Sequence, residues 1–407
     1  MQRIYLDYAA STPVAPEVME AMRPYLLEKF GNPSSLHSFG REAEIASDEA
    51  RENIARFFGV DFAEVYFTSG ATEANNWIAY ATTNYQQPTT NVKPHVVTSA
   101  FEHESILEPI KHLELEGKIE ATYVKPSGQG IINPKDVQAA LKENTVLVSI
   151  MYVNNEIGTV QPIKEIGKVI EKSKGLRVQE FKGKRASYPI FHTDAVQAVG
   201  FFEPRFDYLK VDAMTVSAHK IYGPKGCGAL IAKKRVPLIP LLRGGGQEFE
   251  MRSGTLNVPA IVGFGKAIEL LQPTTYNLQP TKIEDLKNKL KEGIVKIYPK
   301  ARVSADSQAG APHILNIMFS GIPSQVLLIA LDQEGVAVSS GAACSAKSVK
   351  PSYVLTAMGK SEEQALSSLR FSIGRYITED DIETTIQILG TVIPSLTNNL
   401  KRTAYNQ

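Results

Sequence analysis

Apolar runs and amphipathic segments alternate along the first two thirds of the chain. The apolar runs have the length and continuity of buried strands, and the segments between them repeat apolar positions at the spacing of helices. The predicted strands are Val65–Thr68, His95–Ser99, Ile119–Val124, Val146–Val153, a run that ends at Asp194, and Val211–Val216. The predicted helices are Pro16–Lys29, a second helix that ends near Phe58, Thr72–Ala81, His103–Leu115 and Ile163–Glu171. This alternation predicts an α/β fold with a mostly parallel sheet and helices on both faces, so ligands are expected at the carboxyl ends of the strands.

The pattern changes near residue 272, where a stretch rich in Gln, Pro and Thr predicts a boundary between domains. We expect a large domain over residues 16–271 and a small α+β domain formed by residues 1–15 and 272–407. The elements predicted for the second part are a helix at Ile283–Ile297, a strand at Ile314–Phe319, a helix at Gln325–Glu334, a strand at Leu369–Ile373 and a closing helix from Thr378. The Lys/Arg-rich connection Lys172–Tyr188 has no clear period, so we predict a solvated surface excursion without an assigned function.

Composition narrows the class of protein. The 407 residues are 43% hydrophobic and 21% charged, with a formal net charge of +1, which gives no reason to expect nucleic acid or an anionic membrane as a partner. No apolar run approaches the length of a membrane span, and we expect a cytoplasmic protein. Two cysteines exclude a disulfide framework, and no CxxC or HExxH spacing points to a metal site.

Lys220 follows the predicted strand Val211–Val216 and precedes the turn residues Gly223, Pro224 and Gly226. A lysine after small residues and beside a histidine is poorly solvated, so its amine loses its proton more readily. Such an amine can form a Schiff base with a carbonyl compound. Taken alone, this stretch favours a surface lysine that opens a loop over a reactive lysine. Residues elsewhere in the chain favour the reactive lysine.

Asp194 ends the preceding predicted strand, and burying its carboxylate is costly without a cation or a strong donor. An aspartate that faces a ring nitrogen, with a lysine nearby for an aldehyde, is the recognisable pair of pyridoxal-phosphate chemistry. An aspartate that caps the following turn is the common alternative. The pairing with Lys220 favours the cofactor role.

Three other strand ends carry polar groups. Thr68–Glu73 leads into a helix N-terminus, where free N–H groups and the Thr72 hydroxyl can bind an anion, although a simple N-cap is the alternative. His103 opens a helix from which its imidazole can stack on a flat ring, or it caps that helix. Asn154 and Asn155 end a long apolar strand and can bind a ring hydroxyl or a substrate carboxylate, although turn formation is the commoner explanation.

The small domain carries two further candidate residues. Cys344 lies among small and polar residues in Val338–Ser352, where its thiol is expected to be accessible. Because an accessible thiol is prone to oxidation, we infer that it is there for a catalytic role. Cys227, between two glycines at a predicted strand start, is expected to pack in the core. Arg370 lies in a predicted strand, where its guanidinium is expected to bind a ligand carboxylate or to form an internal ion pair.

Eight motifs occur in an order and spacing that resemble one family. They are SGATE, EHES, VNNEIG, HTDAVQ, SAHKIYGPKG, MRSGT, SSGAACSA and RFSIGR. The chain resembles the cysteine desulfurases, within the class V aminotransferase family of pyridoxal-phosphate enzymes, from Tyr5 to the final helix. The resemblance implies the fold type I of pyridoxal-phosphate transferases, with a seven-stranded sheet in the large domain. It also implies a homodimer that converts L-cysteine to L-alanine.

The resemblance implies a role for each matching residue. Lys220 binds pyridoxal 5'-phosphate covalently and transfers protons, and Asp194 pairs with the ring nitrogen. Gln197 bonds the ring hydroxyl, and His103 stacks on the ring. Cys344 attacks the substrate sulfur and carries it as a persulfide. The residues implied to bind the phosphate are Ala71, Thr72, Ser217, His219 and, from the second subunit, Thr255. The residues implied to bind the substrate carboxylate are Asn155 and Arg370.

The segment between Cys344 and Pro351 is as long as in the subgroup that supplies iron–sulfur scaffold proteins. The resemblance therefore implies a scaffold or another sulfur acceptor as a partner. Two features depart from the family, namely the longer Lys172–Tyr188 connection and a short polar tail after Leu400. They leave open whether the acceptor serves iron–sulfur assembly, tRNA thiolation or nitrogenase.

Other activities share the expected fold, because one scaffold hosts many reactions. A selenocysteine or cystine lyase would release its product without the thiol of Cys344, and an aminotransferase of the same family is a further alternative. A non-enzymatic binding protein is disfavoured because Lys220, Asp194 and His103 occur together. Cys344 favours desulfuration.

Overall fold

The structure is a computed structural model that describes residues 3–83, 92–174, 178–181, 184–271, 280–305, 310–340 and 350–405. The helices are α1 Pro16–Leu27, α2 Ser38–Phe58, α3 Ala71–Thr83, α4 Glu104–Leu115, α5 Pro134–Ala140, α6 Ile163–Lys174, α7 Phe206–Leu209, α8 Val258–Leu270, α9 Pro280–Ile297, α10 Ser324–Gln333, α11 Tyr353–Ala357, α12 Glu362–Leu366 and α13 Glu379–Tyr405. The strands are β1 Ile4–Tyr5, β2 Val65–Thr68, β3 His95–Ser99, β4 Glu120–Val124, β5 Thr145–Ser149, β6 Val178–Phe181, β7 Lys184–Ser187, β8 Ile190–Asp194, β9 Ala213–Ser217, β10 Gly228–Ala232, β11 Ala301–Val303, β12 Ile314–Phe319, β13 Val336–Ala337, β14 Ser339–Ser340 and β15 Ser368–Ser372.

The main sheet of the described chain has seven strands in the order β2-β10-β9-β8-β5-β3-β4. The pairs from β9 to β4 are parallel, and β10 runs antiparallel to both of its neighbours. The predicted α/β fold with a mostly parallel sheet is therefore confirmed. Since parallel strands end at one edge, the carboxyl ends of β5, β8 and β9 meet there.

Successive apolar side chains along each strand point to opposite faces of the sheet and pack into two separate clusters. Val96 and Ile190 join a cluster with Trp77 of α3, whereas the adjacent Val97 and Phe191 join the larger cluster on the other face. This period of two, with both faces covered, explains why the strand sequences are apolar without interruption.

One polar side chain, His192, lies inside this packing and connects three strands. Its ring nitrogens lie 2.9 Å from Ser149 Oγ in β5 and 3.0 Å from Thr215 Oγ1 in β9. Burial lowers the pKa of His192 to about 3, so the ring is neutral at physiological pH. The contact aligns the strands two residues before Asp194.

The second part of the chain forms a separate sheet of four strands, β11-β12-β15-β14, among the described residues. The chain start lies against this part, because β1 pairs with β13 and Asp7 bridges Ser372. The division into domains at 1–15, 16–271 and 272–407 stays a prediction, and residues 272–279 at the proposed boundary lie outside the described residues.

Two predicted segments differ from the structure. Strand β5 ends at Ser149 rather than Val153, because Val153 bridges Val160 and the Asn154 side chain accepts from two backbone N–H groups in the turn between them. The connection Lys172–Tyr188, for which no regular element was predicted, contains the end of α6 at Lys174 and an antiparallel hairpin of β6 and β7, and its solvation stays a prediction.

A close backbone approach at Gly228 generates a prediction about the fold. A Cβ there would lie 2.7 Å from the carbonyl oxygen of Val216 and 2.9 Å from the carbonyl carbon of Gly70. We expect Gly228→Ala to destabilise the protein by about 1–3 kcal/mol, because neither backbone atom can move without shifting its strand or turn. The measurement is the midpoint of unfolding in urea.

The matched control is Gly128→Ala, since a Cβ at Gly128 meets no atom within 4 Å. Equal midpoints for the two variants would contradict the prediction.

Candidate active site

A cavity of about 710 Å³ opens at the carboxyl ends of the central strands. Asp194 is the last residue of β8 and Ser217 the last of β9, and Lys220 ends the short 3₁₀ turn that follows β9. The predicted site residues that line the cavity are Ala71, Thr72, His103, Asn155, Asp194, Gln197, Ser217, His219, Lys220 and Arg370. The fold thus brings together residues that are more than 290 positions apart in the sequence.

The structure does not place two of the predicted residues in the cavity lining, for different reasons. Thr255 is exposed, on the segment before α8, and does not line the cavity. Cys344 lies outside the described residues, and so do its neighbours in 341–349. The roles of both residues stay predictions.

The amine of Lys220 is held by the chain start. Its Nζ donates to the carbonyl oxygens of Ala9, at 2.5 Å, and Ala10, at 2.8 Å. The Gln197 Nε2 also donates to Ala9 O, at 2.8 Å. The segment before α1 therefore forms one wall of the cavity and directs the amine. Nothing in a pair of alanines indicates this role, so the sequence did not assign it.

Asp194 is 6% exposed, and two donors hold its carboxylate. Asn75 Nδ2 donates to Oδ2 at 2.7 Å, and the Val196 N–H donates to Oδ1 at 3.0 Å. A carboxylate oxygen accepts more than one hydrogen bond, so each retains capacity for a further donor. Asp194 therefore caps the turn that follows β8, which was the alternative considered from the sequence. Its carboxylate is still able to face a protonated ring nitrogen.

A hydrogen-bond chain connects Asp194 to His103. Asn75 Nδ2 also donates to Ser105 Oγ at 2.8 Å, and the Ser105 hydroxyl lies 2.7 Å from His103 Nδ1. His103 Nδ1 also accepts from the Ser105 N–H at 3.2 Å and caps α4. The capping contact fixes the imidazole through Nδ1, and the side chain lines the cavity. This position is compatible with stacking on the ring of a ligand.

The opposite end of the cavity presents neutral donors. Ser217 Oγ is buried without a hydrogen-bond partner. The Gly70 N–H makes a long hydrogen bond of 3.4 Å to Thr68 Oγ1. His219 Nδ1 lies 3.3 Å from Ser11 Oγ. Burial, assisted by Lys220 and Lys225, lowers the pKa of His219 to about 4, so its ring is neutral and keeps one N–H at pH 7. These groups and the N-terminus of α3 suit an anion.

Arg370 and Asn155 meet at a third region of the cavity. Arg370 Nη2 donates to Asp7 Oδ1 at 2.7 Å, and Nη1 donates to the Asn155 carbonyl at 2.8 Å. Arg370 Nε and Asn155 Oδ1 are buried without partners. The internal ion pair considered from the sequence therefore exists, and it fixes a guanidinium that retains an unsatisfied donor next to the cavity.

Two buried carboxyl groups beside the site were not assigned from the sequence. Glu102 Oε1 accepts from the Met151 N–H at 2.9 Å, and burial raises the pKa of Glu102 to about 8. Glu156 Oε2 accepts from Ser352 Oγ at 2.6 Å, and burial raises the pKa of Glu156 to about 7. Glu102 belongs to the motif EHES and Glu156 to the motif VNNEIG, and that membership is the sequence feature that could have indicated them.

The groups present fit pyridoxal 5'-phosphate. The cavity offers a lysine amine, a carboxylate and a set of anion-binding donors that includes the unpartnered Ser217 hydroxyl. An aldehyde, a basic ring nitrogen and a phosphate require these three kinds of group. His103 and Gln197 line the space between them.

The raised pKa of Glu102 generates a prediction about stability. Between the ordinary value of 4.5 and about 8, the folded protein binds a proton that the unfolded chain has lost. The contribution of Glu102 to stability therefore falls as pH rises, by at most about 1.4 kcal/mol per pH unit. Glutamine cannot ionise, so we expect the free energy of unfolding of Glu102→Gln, relative to the wild type, to increase from pH 5 to pH 8.

Urea unfolding at several pH values measures this difference. The control is Glu108→Gln on the exposed face of α4, for which the difference should not change in this way. A constant difference for Glu102→Gln would show that Glu102 is ionised throughout.

Comparisons with known proteins agree with this geometry. Residues 4–385 match the family described as aminotransferase class-V. The cysteine desulfurase IscS of Dictyoglomus turgidum is 41% identical over 400 residues, which are 97% of this chain and 95% of that protein. The cysteine desulfurase IscS of Pectobacterium carotovorum is 44% identical over 391 residues, with coverage of 95% and 91%.

Solved structures give the same result. A NifS-like protein has a TM-score of 0.87 at 33% identity, with 97% of this chain and 100% of that chain covered. SspA in complex with cysteine has a TM-score of 0.78 at 34% identity, with coverage of 93% and 100%. The chain therefore belongs to the class-V aminotransferase family, and the two curated relatives named above, which match it over nearly its whole length, are cysteine desulfurases.

Proposed function

We propose that this chain is a cysteine desulfurase that uses pyridoxal 5'-phosphate to convert L-cysteine to L-alanine and captures the sulfur as a persulfide on Cys344. The observation that carries the proposal is the convergence of Lys220, Asp194 and Arg370 in one cavity. The curated relatives named above are cysteine desulfurases, and one structural neighbour is a complex with cysteine, which supports the choice of substrate.

The cofactor would be held at both ends. The backbone at Ala71 and Thr72, together with Ser217 and His219, would bind its phosphate, and Gln197 would bond its ring hydroxyl. Asp194 would hold the proton on the ring nitrogen, and His103 would stack on the ring. When bound, the cofactor supplies an aldehyde for an amine and a ring that accepts negative charge from the substrate.

The substrate carboxylate would bind between Asn155 and Arg370. The Asp7 carboxylate and the Asn155 carbonyl hold two terminal nitrogens of the guanidinium, so its orientation is set before substrate arrives. A fixed guanidinium loses little freedom when it binds a carboxylate. Each terminal nitrogen carries a second N–H, which would supply a donor for that contact.

Lys220 would move protons during the reaction. Its Nζ lies where the carbonyls of Ala9 and Ala10 direct it into the cavity, between Asp194 and His219 in the lining. The amine would accept a proton from the substrate Cα, and it would then serve as the local acid that returns protons to carbon.

The sulfur step would belong to Cys344. Its thiolate forms a bond to the substrate Sγ while the bond between Cβ and Sγ breaks. The electron pair of the broken bond stays with Cβ, which takes up a proton, and the methyl group of alanine results. The outer sulfur of the Cys344 persulfide then passes to an acceptor, for which we propose an iron–sulfur scaffold protein or another sulfur carrier.

We also propose a homodimer. Apolar side chains are exposed around the end of α1 and the start of α2, where Leu36 is 92% and Phe30 is 73% exposed, and further along the chain at Leu241 and Leu242. A second subunit would cover such side chains, and the exposed Thr255 would then reach the partner's phosphate site.

None of the helices in the described ranges is long and apolar enough to cross a membrane. Action in the cytoplasm remains a prediction.

The thiol of Cys344 is tested by its replacement. We expect Cys344→Ala to lower alanine formation from L-cysteine, with a reductant present, by at least about 10²-fold, because the group that receives the sulfur is removed. Binding of the cofactor, followed by its absorbance, should not change. The measurement is alanine and sulfide released per enzyme.

Cys227→Ala is the matched control, because Cys227 is buried and burial raises the pKa of its thiol. It should release alanine at the wild-type rate. If Cys344→Ala also does so, the thiol is not the nucleophile, and a lyase reaction on the same fold replaces the proposal.

A further inference from the structure

Glu73 and Arg252 form an ion pair beside the proposed phosphate site. Glu73 lies in the first turn of α3 and lines the cavity, and its side chain is 11% exposed. Its Oε2 accepts from the Ser69 N–H at 2.8 Å. Arg252, 179 residues along the chain, donates to the same carboxylate through Nε at 2.8 Å and Nη2 at 3.0 Å.

The charge on Glu73 matters because a phosphate would bind close to it. Burial alone raises the pKa of Glu73, but the hydrogen bonds from Arg252 and Ser69 outweigh burial, and the pKa lies below its usual value. The carboxylate is therefore ionised at neutral pH. An unpaired carboxylate at this helix end would repel a phosphate and would compete for its N–H donors.

The position of Arg252 is set by a second buried ion pair. Glu248 forms two hydrogen bonds with Arg51 and accepts from the Phe67 N–H of β2 at 2.7 Å. The residues from Glu248 to Glu250 have φ angles of 49°, 57° and 65°, a left-handed run that non-glycine residues avoid. Such a run persists only where other contacts enforce it. The anchored Glu248 enforces it and places Arg252 against α3.

The same segment continues to Thr255. Gln247 Oε1 accepts from the Gly254 N–H at 2.9 Å, which closes the chain immediately before Thr255. The segment 247–255 is thus attached to β2 by Glu248 and to α3 by Arg252. Both attachment points flank the turn at 69–72 that would receive the phosphate.

We propose that Arg252 is a positioning residue for the cofactor phosphate, which acts by pairing with Glu73. It cancels the negative charge beside the phosphate and holds the turn at 69–72 in place. It also fixes the segment that presents Thr255 to the second subunit, so one ion pair serves the phosphate sites of both subunits. This inference rests on the proposed function, since it requires pyridoxal phosphate in the cavity.

The inference predicts a specific pattern of affinities. Arg252→Gln leaves the Glu73 charge unpaired and should weaken binding of pyridoxal phosphate by about 10-fold or more. Glu73→Gln leaves a cation near the phosphate and should keep or increase the affinity. The double variant carries neither charge and should regain most of the affinity that Arg252→Gln alone loses.

The measurement is the dissociation constant of pyridoxal phosphate, obtained from the absorbance of the holoenzyme during serial dilution. It does not depend on turnover. The control is Arg56→Gln, which removes an exposed arginine whose pair with Glu52 lies on the surface. Should Arg252→Gln fail to fold, Arg252→Lys keeps the charge with fewer hydrogen bonds and should give an intermediate affinity.

The outcomes separate the inference from the proposed function. A wild-type protein that does not bind pyridoxal phosphate overturns both. If the wild type binds and Arg252→Gln binds equally well, only the inference is overturned. Equal weakening by both single variants and by the double variant overturns it as well, because a purely structural contact would give that pattern.

Discussion

The buried carboxylate of Asp194 is the constraint on which the site depends. A negative charge at the end of a central strand is costly unless donors surround it, and the chain supplies Asn75 from α3 and a backbone N–H from its own turn. Asn75 in turn fixes Ser105 and His103. A cationic ring nitrogen would complete this environment, which is why we propose that Asp194 faces the ring nitrogen of the cofactor.

Ion pairs between distant parts of the chain fix the other groups. Asp7, from the chain start, orients Arg370 at the proposed substrate-carboxylate site, and Arg252 pairs with Glu73 beside the proposed phosphate site. The ordering of these side chains occurs during folding rather than on binding, which lowers the entropic cost of binding. The central strands between them are held in register by His192, whose ring is neutral.

Local sequence patterns were sufficient to predict the main sheet and to find ten of the residues that line the cavity. Asp194, His103 and Lys220 follow apolar runs or precede small-residue turns, and such features are visible within a few residues. The pair of Asp7 with Arg370 joins residues 363 positions apart, so no local pattern shows it. The contacts of Lys220 with Ala9 and Ala10 use backbone carbonyls, which leave no mark in the sequence.

The central claim is that Lys220 is the lysine that reacts with pyridoxal phosphate. Borohydride reduction of the holoenzyme makes such a link permanent, and mass spectrometry of its peptides then identifies the modified residue. The account predicts one pyridoxyl group per chain, on Lys220. Lys225 also lines the cavity and is the internal control. Modification of Lys225 or another lysine in place of Lys220, or of none, would contradict the account.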